Sequence, residues 1–303
     1  SHDVSDGVAL SLIDTDGNTA VGTWSLFSDT YGSRSTAIGY YALQAQNFTT
    51  ATQNYNTAVG YEAGRLVSTG INNVYVGGLA GGGATTGNSN VFVGKYAGGG
   101  ATMSGSNNVA LGFEAIKSLT SGANNIAIGY QAGEATTAMT DAAQCITIGT
   151  NAKTSASGSG YQTVIGYNVT GNADDSFCFG KNTTDSAIAA GATSITAPSD
   201  IRLKEDIQDE EVGLDFINEL RPVTFLWKKE KDIPLDMKAY KEGSEERTMN
   251  GKYNHGFVAQ EVKEVIDKYD LKEGFDMWTE DETDGRQRIG EGALIPMLVK
   301  SIQ

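Results

Sequence analysis

Between residues 18 and 180 one pattern of apolar and polar positions keeps returning. An asparagine is followed by a small or apolar residue, a variable residue, a second apolar residue and a glycine. It reads Asn56-Thr57-Ala58-Val59-Gly60, Asn73-Val74-Tyr75-Val76-Gly77, Asn90-Val91-Phe92-Val93-Gly94, Asn108-Val109-Ala110-Leu111-Gly112 and Asn125-Ile126-Ala127-Ile128-Gly129. Weaker copies end at Gly22, Gly39, Gly149, Gly166 and Gly180, and the gaps between successive glycines are 17, 21, 17, 17, 18, 17, 20, 17 and 14 residues. Several copies continue into x-x-Ala, as in Tyr61-Glu62-Ala63 and Tyr130-Gln131-Ala132. Three residues with apolar, often β-branched, ends predict a short strand with alternate side chains on opposite faces, and the glycine predicts a turn. A strand this short buries nothing alone, so the repeat predicts coils stacked into a parallel β-solenoid. Alternation leaves the facing to be assigned. The outer pair (Val74 and Val76, Ile126 and Ile128) is expected to point into the coil, and the middle residue (Ala58, Tyr75, Phe92, Ala110, Ala127) outward. Tyr75 and Phe92 would then be exposed on a single shaft and covered where three shafts pack around an axis. Extra residues such as 81–87 are expected to form projecting loops.

The pattern changes at residue 199. Glu210 to Leu220 carries apolar residues at a helical rhythm, and Pro222 to Lys228 alternates like a strand. Residues 229–252 are charged and predict a loop or hairpin insertion. Gly256 to Tyr269 begins extended and becomes helical, and Ala293 to Ile302 predicts a last helix with Pro296 in its first turn. The expected architecture is an all-β trimeric parallel β-solenoid shaft over 1–198, followed by a small mixed α/β domain over 199–303.

Composition sharpens that border. Residues 1–198 hold 12 acidic and 6 basic residues, whereas 199–303 hold 25 and 16; the nets of −6 and −9 sum to −15. Glycine falls from 30 to 8 across it, and all four prolines lie at or beyond Pro198. The acidic balance leaves no basic stripe for phosphates, so nucleic acid is not an expected partner. No apolar run approaches the roughly 18–20 residues that span a bilayer, so membrane insertion is not expected. The opening Ser1-His2 looks like a cloning remnant. Cys145 and Cys178 lie in apolar alternating stretches and are expected to be buried free thiols. Asp14-Thr15-Asp16-Gly17-Asn18 resembles part of a calcium loop, but the other ligands are missing and a plain turn is expected. No metal and no cofactor is implied.

The repeat resembles the head repeats of trimeric autotransporter adhesins, whose unit is Asn-Ser-Val-Ala-Ile-Gly followed by x-x-Ala. That resemblance implies a left-handed parallel β-roll intertwined as a trimer, with 17 residues here in place of a tighter period. Downstream, four ordered motifs resemble the intramolecular chaperone auto-processing domain that ends phage tail spikes and fibres, endosialidases among them, and recurs in the myelin regulatory factor. They are Ser199-Asp200-x-Arg202-x-Lys204-x-x-Ile207, Leu220-Arg221-Pro222-Val223-x-Phe225-x-Trp227-Lys228, Gly256-Phe257-Val258-Ala259-Gln260-Glu261-Val262 and Leu294-Ile295-Pro296-Met297-Leu298-Val299-Lys300. The resemblance implies a trimeric domain that nucleates the shaft and then releases itself through a serine–lysine pair.

The chemistry of such a pair is simple. A serine is a weak nucleophile without a base, and a desolvated lysine can supply one. Ser199 and Lys204 are the expected catalytic residues of a single-turnover, self-cleaving serine endopeptidase, able to meet if the chain turns between them. Asp200 and Arg202 are the candidates for holding that turn. The cut adjoins Ser199: a five-membered N→O shift would open Pro198–Ser199 within the chain, and attack from a neighbouring chain could open Ser199–Asp200. His255 is expected to be a bystander. The implied function is the C-terminal part of a trimeric phage tail fibre or spike, assembled in the host cytoplasm, carried on the virion, and meeting an unidentified host cell-surface receptor. The alternative is a non-cleaving trimeric adhesin whose C-terminal domain only trimerises.

Overall fold

The computed structural model describes residues 10–11, 16–134, 139–182, 184–192, 195–196, 199–237, 239–271, 275–281 and 285–303. The chain divides into two compact units, Ser1–Asp200 and Ile201–Gln303.

In the first unit twelve short strands form one sheet. Leaving aside the two antiparallel strands at its ends, ten are parallel, one per coil, from Thr19–Val21 to Ser176–Lys181. Their register repeats the sequence pattern: Ala58 pairs with Tyr75, Tyr75 with Phe92 and Phe92 with Ala110. At about 4.8 Å per step such a sheet is roughly 43 Å long. This is the parallel β-solenoid that the repeat predicts.

The facing of the strands is the reverse of the expected one. Middle residues Tyr75 and Phe92 are 0% exposed and lie inside the coil with Ala58, Ala110 and Ala127. The outer pair lies on the outside, and Val91 and Leu111 are 38% and 47% exposed. Alternation is the same in either phase, so it could not choose between them. The asparagine does, because Asn73 stands two residues before Tyr75 and shares its face. Inside the coil each asparagine bonds to its equivalent one coil away. Asn108 donates its backbone N–H and its Nδ2 to Asn90 Oδ1 (2.9 and 3.1 Å), and its Nδ2 also donates to the Gly122 carbonyl (3.0 Å). Asn73 and Asn125 repeat this on Asn56 and Asn108. Where Ser35 replaces asparagine, the buried Gln46 reaches in: its Nε2 donates to Ser35 Oγ (3.3 Å) and its Oε1 accepts from Asn56 Nδ2 (2.9 Å).

The inside of the shaft also fits by size. A Cβ on Gly81 would lie 2.2 Å from the Tyr75 ring, and one on Gly98 would lie 2.4 Å from the Phe92 ring. Of the coils with alanine at the middle position, those of Ala20, Ala37 and Ala110 place Leu26, Leu43 and Ile116 where those glycines stand, whereas those of Ala58 and Ala127 keep glycine, at Gly64 and Gly133. The turn glycine is required by backbone rather than by side-chain space. At Gly94, φ is +132° and a Cβ would lie 2.5 Å from the Gly112 carbonyl oxygen.

The second unit packs three helices around one core. They are α1 (Leu214–Glu219), α2 (Ala259–Lys268) and α3 (Ile295–Ile302). Phe216, Leu220, Val262, Ile266, Met277, Leu294 and Met297 form the buried cluster. The predicted strand is present as Val223–Phe225, paired antiparallel with Asn254–Gly256. A hairpin of Trp278–Glu280 and Gln287–Ile289 was not predicted. The charged insertion folds as an arm in which Glu245 pairs with both Lys229 and Lys231, and Lys241 with Glu230.

Candidate functional site

Three of the four downstream motifs have a packing explanation. Leu220, Val262, Leu294 and Met297 are core residues. Arg221 and Glu261 join two of the motifs through a forked ion pair, with Arg221 Nε 2.9 Å from Glu261 Oε2, and that guanidinium holds the Glu261 carboxyl below its usual range.

The first motif has none. Ser199 is exposed and outside regular structure, and Asp200 is half-exposed. Ile201–Leu203 then form one turn of 3₁₀ helix, and the Lys204 backbone N–H donates to the Ile201 carbonyl (3.2 Å). Arg202 sits within it and Lys204 at its end, both exposed. Pro198 lies outside the described residues. The apolar residues of the motif face solvent too: Ile201 is 72% exposed and Leu203 64%.

The remaining sequence candidates fall elsewhere. His255 is exposed on the Asn254–Gly256 strand, opposite Thr224. Cys145 and Cys178 are buried free thiols, and burial raises the Cys145 thiol above its ordinary range. Cys145 occupies the asparagine place of its coil, donating to the Ser159 carbonyl (3.4 Å) while its own N–H goes to Asn125 Oδ1. Of the calcium-like segment, Asp14 and Thr15 lie outside the described residues, and Asn18 belongs to the internal ladder: its Nδ2 donates to the Gly32 carbonyl and its Oδ1 accepts from the Ser35 N–H. Among the described residues no group of His, Cys, Asp or Glu is placed to hold a metal ion, and no helix is long and apolar enough to cross a membrane.

One apolar surface escaped the sequence reading because of the inverted facing. One outer column is apolar along all ten parallel strands, from Val21 through Val76, Leu111 and Ile148 to Phe179, and the other is valine or isoleucine from Val74 to Ile146 but threonine at Thr19, Thr36, Thr57 and Thr163. Beside them runs the column of residues that follow the turn glycines, in which Tyr40 stacks on Tyr61 (5.7 Å between rings) and Phe113 on Tyr130 (5.4 Å). Parallel sheets are ordinarily covered on both faces, and here the outer face is a continuous apolar band.

Comparison with known proteins bears on the downstream region. Residues 199–271 match the family model described as chaperone of endosialidase, a peptidase-type family. A β-solenoid with such a domain directly after it fits a tail fibre or spike with a C-terminal chaperone domain. Searches of curated proteins and of solved structures each return no match to the chain.

Proposed function

We propose that this chain is the C-terminal part of a trimeric phage fibre or spike whose last domain nucleates the solenoid and then cuts itself away beside Ser199. The observation that carries the proposal is the family match beginning at Ser199, on a motif that packing does not explain. The apolar outer band supports the trimer, since three shafts facing a common axis would cover it. This replaces the middle positions, which fill the coil interior, as the surface where copies meet.

Ser199 Oγ attacks the carbonyl carbon of the scissile peptide while the neutral Lys204 amine takes the hydroxyl proton. The amine then passes that proton to the departing nitrogen, leaving an ester. Water hydrolyses the ester to a carboxylate and restores the serine hydroxyl. The carbonyl is that of Pro198 if the attack is within the chain, and that of Ser199 in a neighbouring chain if it is not. Lysine serves as the base only when dried, because burial disfavours its charged form. In the single chain Lys204 is exposed. Docking of Ile201, Leu203 and Ile207 against a neighbouring copy would exclude water around it, which ties the cut to assembly.

The test is a denaturing gel of wild type beside Ser199→Ala and Lys204→Ala. Wild type is expected to run as two fragments and both variants as one. One intact wild-type band would favour the alternative adhesin reading, in which the domain only trimerises and Lys204 stays solvated. Sedimentation of the uncut variants is expected at three times the chain mass.

A further inference from the structure

The parallel sheet does not stop on a parallel strand. After Ser176–Lys181 the chain reverses at Asn182, which takes the left-handed conformation (φ 52°). Thr184–Ala189 then runs back along the whole of the last parallel strand, from Lys181 opposite Thr184 to Ser176 opposite Ala189. The outer edge of this returning strand is covered in turn at its centre. Ala187 donates its N–H to the Thr196 carbonyl (2.9 Å), and Thr196 donates its own N–H to the Ala187 carbonyl (2.8 Å). The returning strand also carries a plug. Ala187 pairs with Cys178 and joins Ala152, Val164, Val169 and Cys178 in a buried cluster at this end of the shaft. At the other end the short strand Leu10–Ser11 likewise runs antiparallel to Thr19–Val21.

The geometry points to a built-in seal: Thr184–Ala189 is a strap that closes the C-terminal edge of the shaft and stays on it when the C-terminal unit is gone. A stacked sheet of identical rungs is a template for its own extension. A bare Ser176–Lys181 edge would offer unpaired N–H and C=O groups to the end of another shaft. A reversed strand breaks the parallel register, so a further coil cannot add. The strap lies wholly within Ser1–Asp200 and upstream of Ser199, so a cut beside Ser199 leaves it on the shaft. A plain linker would need neither six paired residues nor an inward-facing alanine. The seal bears on the processing reading but does not depend on it, since it acts with or without a cut.

The test is the full chain carrying Ser186→Pro together with Ile188→Pro. Backbone N–H groups alternate sides along a strand, and that of Ala187 points to Thr196, so those of Ser186 and Ile188 point to the sheet. Two prolines remove both donors. Particle length by electron microscopy and amide exchange of residues 176–181 are read in the wild-type and the Ser199→Ala backgrounds. With the strap intact, particles of one length are expected in both. With the strap released, double-length particles joined at their C-terminal edges are expected in both, because the N-terminal edge keeps its own antiparallel strand. Single-length particles whose 176–181 amides exchange freely would overturn the seal. Loss of the cut in the wild-type background would bear on the processing reading alone. If the double variant does not fold, Ala187→Asp, which puts a charge into the plug, is read the same way.

Discussion

Asn90 illustrates how much one residue of the repeat holds. Its Oδ1 accepts from the N–H and Nδ2 of Asn108, and its Nδ2 donates to the Gly105 carbonyl (3.0 Å), all of it buried. Asn90→Ala leaves a backbone donor and a backbone carbonyl unsatisfied, at a cost of about 1–3 kcal/mol for each group. Thermal or denaturant unfolding measures the loss, and an unchanged midpoint would remove the ladder from the account. Cys145 tests the same idea with the opposite sign. Cys145→Asn restores an amide rung toward Ser159 and is expected to stabilise by about 1 kcal/mol. At Tyr75 the hydroxyl is buried with no hydrogen-bond partner among the described residues, and burial pushes its ionisation far up. Tyr75→Phe is therefore expected to be neutral or stabilising by up to about 1 kcal/mol, whereas Tyr75→Ala costs about 3–5 kcal/mol. At this scale the sequence disclosed the repeat but not the facing. Valine and isoleucine at the outer positions look like core, and alternation fits both phases. The deciding signal was the asparagine, whose polar side chain can be buried only if each coil supplies its partner in register.

Single elements were legible where their periodicity was long. α2 and α3 lie where the helical rhythm places them, and Pro296 stands in the first turn of α3. α1 begins only at Leu214, because Gly213 precedes it and the acidic run Asp209 to Glu211 stays outside the helix. The Trp278–Glu280 hairpin was hidden because Trp-Thr-Glu and Gln-Arg-Ile are too short and too polar to alternate. Among the turns, Gly94→Ala must place a Cβ against the Gly112 carbonyl at positive φ. That combination is expected to cost more than the roughly 1–2 kcal/mol of the left-handed conformation alone, and to yield insoluble shaft. The charged arm responds to acid. Glu245, held between Lys229 and Lys231, has its carboxyl lowered to about 2. A carboxylate depressed on folding stabilises above its ordinary range, and that contribution fades as pH falls from about 4.5 toward 2. Amide protection in residues 229–247, relative to the unstructured rate at the same pH, is expected to fall across that window, while the stretch of the shaft ladder from Asn73 to Asn125, built of amides alone, stays protected. Equal protection of the arm at pH 6 and pH 3 would contradict this.

For the whole molecule, the proposed function would make the two regions need one another for a kinetic reason. The contacts within each coil pair are about 17 residues apart, but bringing three chains into one register is slow and exposes sheet edges while it proceeds. A C-terminal trimeriser lowers the entropy of aligning the chains. On the proposed reading, its removal afterwards would delete the nucleus for the reverse path and trap the folded shaft. The trimer claim belongs to the outer band. Val91→Asp with Leu111→Asp changes only outward side chains, so the coil should remain folded while sedimentation falls from three chains to one. Retention of the full assembly would move the interface elsewhere. The existence of two regions was legible from composition and motif, because each obeys a different residue grammar. The outer band proposed to join copies was not, because it depended on the phase of a three-residue strand. The measurement that reaches the centre of the account is the intact mass of the purified wild-type chain under denaturing conditions. Two species dividing the 303 residues beside Ser199, near 198 and 105 residues, are predicted, with Ser199→Ala giving the undivided chain. A wild-type chain that stays whole, as a trimer with a folded shaft, would contradict it.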